Sequence, residues 1–195
     1  MKIIKNRKFQ KIYFSDFFMQ NFAEKPLLIL DIDNILATRV PLINKSGAHT
    51  YTAIQKRKGL DKFLEMIFNH FTVSIWSLTS QYELQQLLSI VLGDFAKHLL
   101  FIWGKNRCIY SQVNGVNAYL KPLSVVWKEY PQYSINNTLI IDWERLAMIT
   151  NPNECVLHVN KYEINNDLNL NHGLMREIAH YILVPSCRMS LQAVY

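Results

Sequence analysis

The sequence predicts an α/β domain: a mostly parallel central sheet with helices on both faces and a small β-hairpin insertion. Three observations carry this expectation. Short apolar runs of strand length alternate with amphipathic segments of helix length, an order that builds parallel sheets through right-handed crossovers. One such run, Leu27–Leu30, leads into two aspartates, Asp31 and Asp33, and ligands of open α/β sheets sit beyond the carboxyl ends of buried strands. At 195 residues, half of them apolar, the chain can bury one sizeable core and needs no second domain.

Residues 1–25 form a basic and aromatic arm, with Phe9, Ile12, Tyr13, Phe14, Phe17, Phe18 and Phe22 beside Lys8 and Lys11. Their periodicity is only partly helical, which favours packing on the domain's own surface over a membrane or partner helix. Residues 26–195 are the expected α/β domain. After the first strand, Thr38–Gln55 is polar and turn-rich and reads as a loop or β-hairpin. Gly59 opens a helix whose Leu60, Phe63, Leu64, Ile67 and Phe68 share one face; Thr72–Trp76 is a buried strand ending at Ser77. Residues 81–92 form the next helix, stopped by Gly93. Leu99–Trp103 is a third strand, and Cys108–Tyr110 with Val116–Leu120 flank an Asn114-Gly115 hairpin turn. A short helix over 123–130, strands at Thr138–Ile141 and Cys155–Val159, and a helix over 174–184 complete the pattern.

The formal charge of +6 is uneven: residues 1–62 carry 12 Lys and Arg against 5 acids, the remainder 9 against 10. Positive surface near the aspartates suits an anionic ligand, a phosphoprotein or an acidic membrane; solvated lysines that keep the protein soluble are the plainer account. Three cysteines, odd in number and without C-x-x-C spacing, point to a reducing, cytoplasmic compartment and away from a disulfide framework or zinc site. No signal-type apolar stretch follows the charged N-terminus and no run approaches a membrane span, so the chain reads as soluble, with membrane association left to regions outside the core.

Asp31 and Asp33, Ser77, Lys121 and Asp142 stand at strand ends or loops and together supply what phosphoryl transfer needs. The reaction requires a nucleophile, neutralisation of phosphoryl oxygens and a metal joining nucleophile to phosphate. Asp31 would attack phosphorus to form an aspartyl-phosphate; Asp33 would protonate the leaving oxygen and then activate water. Ser77 would donate its hydroxyl to a phosphoryl oxygen and Lys121 supply fixed positive charge. Asp31, Asp33 and Asp142 would hold Mg²⁺, an ion that favours oxygen ligands. The competing account of the D-x-D run is a capped turn with Asx hydrogen bonds from Asp33 or Asn34.

The motifs resemble those of the haloacid dehalogenase superfamily, and within it the capless protein-phosphatase branch. D-I-D-N-I at Asp31–Ile35 resembles the first motif. K-R-K-G-L-D-K-F-L at Lys56–Leu64 and I-W-S at Ile75–Ser77 resemble segments of the RNA polymerase C-terminal-domain phosphatases, as do K-P-L-S-V-V-W-K at Lys121–Lys128 and I-I-D-W-E-R at Ile140–Arg145. The last is also similar to a segment of the magnesium-dependent phosphotyrosine phosphatases. The likeness spans roughly residues 26–160 in the family's order and implies a Rossmann-like fold and Mg²⁺-dependent phosphatase activity. Ile35 stands where Thr or Val is usual, and Trp143 stands where a second acid follows Asp142. If that second acid carries the metal, its loss weakens binding; if Asp142 carries it, little changes.

Forty-four positions separate Asp33 from Ser77 and Ser77 from Lys121, which leaves no room for a large cap. The resemblance ties an uncapped site to protein substrates, so the expected partner is a phosphorylated protein, phosphotyrosine or phosphoserine/threonine, met by a monomer. Asn34, Lys56, Arg57 and Trp143 are the expected substrate-binding residues. The alternative is a catalytically impaired domain that binds phosphoproteins. Nucleic acid is not an expected partner, because no recognition motif accompanies the basic charge.

Overall fold

Leu27–Leu30 (β1) is an unbroken apolar run with every side chain removed from solvent, which requires layers on both sides of its strand. The computed structural model describes residues 25–43, 49–162 and Ile178. In it, β1 is the centre of a five-stranded parallel sheet with Thr72–Trp76 (β4) and Ile102–Trp103 (β5) on one side and Thr138–Asp142 (β8) and Val156–His158 (β9) on the other. The spatial order is β5-β4-β1-β8-β9. Two antiparallel hairpins stand apart from it: Ala37–Ile43 (β2) with His49–Lys56 (β3), and Ile109–Val113 (β6) with Val116–Leu120 (β7).

Alternation along β1 sorts the core into two layers. Leu28 and Leu30 pack with Val73, Ile75, Leu139 and Ile141 beneath helices Leu60–His70 (α1) and Gln81–Val91 (α2). Leu27 and Ile29 pack with Trp76, Ile140 and helix Leu123–Glu129 (α3) on the opposite face. Each buried Leu or Ile removes apolar surface worth about 1.5–3 kcal/mol, so both layers hold the sheet. The turn Asn114-Gly115 has positive φ at both positions, 49° and 82°, as a two-residue hairpin turn requires.

The third strand is shorter than its sequence suggested. A 3-10 segment over Gly93–His98 follows α2, and ladder pairing is confined to Ile75↔Ile102 and Trp76↔Trp103. Leu100 N–H still donates to Val73 at 3.0 Å, and Phe101 accepts from Ile75 at 3.1 Å. A short helix, Arg145–Met148 (α4), also follows β8, too short to show a helical period in the sequence. The aromatic arm, the tip Asn44–Gly47 of the first hairpin, Cys187 and most of the expected helix over 174–184 lie outside the described residues; Ile178 within that helix is helical and buried. Among the described residues, no helix is long and apolar enough to cross a membrane.

Candidate active site

β1 and β8 run parallel with Leu30 level with Ile141, so the next step of both strands brings Asp31 level with Asp142. The Asp31 N–H donates to the Ile141 carbonyl at 3.2 Å and keeps that register through the carboxylates. Two anions at the spacing of adjacent strands repel in a low-dielectric interior. Lys121 answers this repulsion. Its Nζ lies 2.5 Å from Asp142 Oδ2 and 3.4 Å from Asp31 Oδ2, and the ammonium and both carboxylates are buried.

Lys121 reaches this position because its backbone is fixed on three sides. It leaves β7, precedes α3, and its N–H donates to Ala147 of α4 at 2.6 Å. The buried Asn151 side chain donates to the Lys121 carbonyl at 2.9 Å and accepts from the Leu123 N–H at 2.7 Å, capping α3. Asn151 was not foreseen from the sequence, where nothing distinguishes it from other loop asparagines.

Burial pushes the Asp31 carboxyl up from 3.8 to about 6, with Asp142 adding to the rise. Lys121, the Ser77 hydroxyl and the Ile32 N–H, which donates to Oδ1 at 2.7 Å, oppose it. For Lys121, burial acts against the charged form, but Asp31 and Asp142 outweigh it and raise its pKa. The thiol of Cys108 is close enough to feel all three charges and is itself pushed up, chiefly by burial. A carboxylate this buried, facing one ammonium and one hydroxyl, can act as a nucleophile toward a phosphoryl group whose oxygens Lys121 and Ser77 would hold.

Asp33 sits outside this cluster and is partly exposed. Arg39 of β2 grips it through Nε to Oδ1 at 3.0 Å and a terminal nitrogen to Oδ2 at 3.4 Å. Thr79 donates its hydroxyl to Asp33 Oδ2 at 2.5 Å, while the Thr79 N–H donates to Ser77 Oγ at 3.3 Å. The outer carboxylate is thereby linked through Thr79 to Ser77 and the inner cluster. Arg39 and Thr79 escaped the sequence reading; Thr79 could have been suspected from its place two residues after Ser77, whereas Arg39 joins only through the folding of the hairpin.

The remaining expected residues lie elsewhere or do other work. Asn34 takes a left-handed φ of 62° and closes the turn after β1, its N–H donating to Ala37 at 2.7 Å and its carbonyl accepting from Tyr162 at 2.8 Å. Arg57, expected at the substrate, is buried, donates to the Ile35 carbonyl at 3.1 Å and lies over the Tyr162 ring. Lys56 is exposed at the end of β3. Trp143 packs partly buried against the α1/α2 layer, with Lys161 5.1 Å from its ring centre.

The Asp142 carboxylate is engaged on both sides: its Oδ2 is on Lys121 and its Oδ1 accepts from the Glu144 N–H at 2.9 Å, and it does not face solvent. Trp143 offers no metal donor, and the Glu144 side chain caps α4 by accepting from Leu146 N–H at 3.3 Å. Among the described residues no cluster of three His, Cys, Asp or Glu is placed to hold a metal ion. The three carboxylates expected to share Mg²⁺ are divided in this arrangement: Asp31 and Asp142 pair with Lys121, and Asp33 pairs with Arg39.

Comparison with known proteins agrees with this architecture. The chain is 30% identical over 168 residues to the ubiquitin-like domain-containing CTD phosphatase 1 of Drosophila melanogaster, covering 80% of this chain and 50% of that protein. It is 26% identical over 142 residues to an uncharacterized FCP1 homology domain-containing protein of Schizosaccharomyces pombe, covering 66% of this chain and 58% of the relative. The chain therefore spans little more than half the length of these relatives. Its fold matches the structure of Fcp1, an essential RNA polymerase II CTD phosphatase, with a TM-score of 0.52 at 16% identity, over 85% of this chain and 51% of that one. A second match is to a variant of fission yeast Fcp1 bound to beryllium fluoride, with a TM-score of 0.51 at 14% identity over 85% and 53% of the two chains. The profile of the NLI interacting factor-like phosphatases matches residues 26–184, and the chain belongs to that family.

Proposed function

We propose that this domain removes phosphate from a phosphorylated side chain of a protein, with Asp31 as the attacking group. The observation that supports this most is the buried Asp31–Lys121–Asp142 cluster at the carboxyl edge of the sheet, with Ser77 on Asp31. Lys121 and Ser77 would hold two phosphoryl oxygens while Asp31 forms the P–O bond and the substrate oxygen leaves. Asp33 would give that oxygen a proton and then take one from the water that hydrolyses the aspartyl-phosphate. Magnesium is the ion the family likeness implies; Asp31 and Asp142, level at the strand ends, are the carboxylates that would hold it, and it would add neutralisation of the phosphoryl oxygens. Phosphotyrosine and phosphoserine/threonine are both within this reading.

A second reading, a domain that binds phosphoproteins without turning them over, is favoured by Trp143 and by the double engagement of Asp142. One experiment separates the two. Hydrolysis of a small aryl phosphate is followed with Mg²⁺, with EDTA, and in Asp31→Asn. Turnover that disappears in the folded Asn variant supports the aspartyl-phosphate route. No turnover by folded wild-type protein at any magnesium concentration supports the binding reading, and Trp143→Asp, which adds a carboxylate beside Asp142, should then confer magnesium-dependent hydrolysis.

A further inference from the structure

A strand-end aspartate needs one or two backbone donors to be satisfied, yet Asp33 is held by a two-point guanidinium contact and a hydroxyl from two other parts of the fold. Arg39 reaches it from the β2–β3 hairpin and Thr79 from the loop ahead of α2. Arg39 is anchored in turn, with a terminal nitrogen 3.3 Å from Thr79 Oγ1 and another 3.8 Å from Glu83 Oε1. Glu83 is fixed at the N-terminus of α2 by the N-cap Ser80: Ser80 Oγ donates to its Oε2 at 2.7 Å and accepts from its N–H at 3.3 Å. The resulting chain, Ser80–Glu83–Arg39–Asp33–Thr79–Ser77, runs from a helix start to the inner cluster.

We propose that Arg39 is the positioning residue of Asp33, with Glu83 fixing Arg39 from behind, and that this arrangement sets Asp33 for the water-activating half of the reaction. The inference rests on the aspartyl-phosphate reading above. Paired with a guanidinium, Asp33 is an acceptor held in one orientation, the condition suited to taking a proton from water as the water oxygen bonds to phosphorus and the Asp31–phosphorus bond breaks. The proton gained there is the one Asp33 passes to the leaving oxygen in the next turnover. Two fixed donors on one carboxylate restrict it far more than a single contact would, because Arg presents its nitrogens in a rigid fork.

Pre-steady-state hydrolysis of an aryl phosphate with a good leaving group tests this, since the first step then needs little acid help while the second still needs a base. Arg39→Ala should release a burst of about one equivalent of aryl alcohol and then turn over about tenfold more slowly than wild type, less than the roughly 10²–10⁴-fold supplied by an acid–base group itself because Asp33 is still present, with KM falling in step so that kcat/KM is little changed. Glu83→Gln, outside the reacting groups, should show the same pattern more weakly. Equal slowing of burst and steady state, or a raised KM with unchanged kcat, would overturn the proposal and make Arg39 a structural or phosphate-binding residue. If wild-type protein shows no turnover, the functional reading fails by itself, and a crystal structure of Arg39→Ala then decides the positioning: Asp33 leaving Thr79 upholds it, and Asp33 unmoved on Thr79 refutes it.

Discussion

The two carboxylates of the D-x-D run differ in how their charge is managed. Asp31 continues a buried strand, is almost sealed from solvent and shares the buried Lys121 with Asp142. Asp33, two residues on, is partly exposed and meets an Arg39 whose side chain is 37% exposed. Inside, the charges lack water and each depends on the others; outside, solvent screens the pair and geometry is what the contacts provide. The same sequence motif thus contains one group whose partners matter to folding and one whose partners matter to orientation.

Removing the central cation breaks the inner group most severely. Lys121→Met leaves two level carboxylates with no ammonium between them, and loss of one partner of a buried ionic network costs about 3–5 kcal/mol. Urea unfolding should show a midpoint far below wild type or no folded baseline, and a near-normal midpoint would mean that the cluster is hydrated in solution. The next effect has the opposite sign. Because burial holds Asp31 at about 6 against 3.8, its neutral form is the one the fold favours: the stability it contributes is present below the ordinary carboxylate range and is lost as pH rises from about 4 through 6. Asp31→Asn should therefore be more stable than wild type at pH 7 by about 1–3 kcal/mol, converging with it below pH 4. A difference independent of pH would show that Asp31 titrates normally.

How much of this was legible depends on which contacts are local. β1, β4 and β8 announced themselves as apolar runs, and the positions following or ending them located Asp31, Ser77 and Asp142; parallel pairing then placed Asp31 level with Asp142. Lys121 was legible as a basic residue ahead of a helix, through the K-P-L-S motif. Arg57 misled because its neighbours Lys56 and Lys58 made it look like exposed charge, whereas tertiary packing turns it to the Ile35 carbonyl. Arg39 was invisible for the converse reason: it lies in a stretch readable as loop or hairpin, and only strand pairing with the register Arg39↔Ile54 fixes where its side chain goes. The role of Asp142 likewise depended on a backbone donor, the Glu144 N–H, which no side-chain pattern reveals.

The support of the inner group can be probed without touching its charges. Asn151→Ala removes the cap on α3 and the donor to the Lys121 carbonyl, two buried hydrogen bonds whose joint loss should cost about 1–2 kcal/mol. If Lys121 is held by this backbone frame, the variant should also lose aryl phosphatase activity in proportion to a loosened ammonium, and activity untouched by the destabilisation would assign the positioning to the side-chain contacts alone.

The smallest expected stability effect belongs to the outer pair, and its smallness is what makes it informative. Arg39→Ala breaks contacts that are partly exposed on both sides, a class worth about 1 kcal/mol or less, and less again in high salt. Its unfolding midpoint should stay close to wild type while its second-step kinetics change, whereas Lys121→Met and Asp31→Asn move stability and chemistry together. A large loss of stability in Arg39→Ala would erase the distinction between the two carboxylates, because it would mean that the hairpin is tied to the sheet through Asp33 and that the outer contacts serve the fold before the reaction.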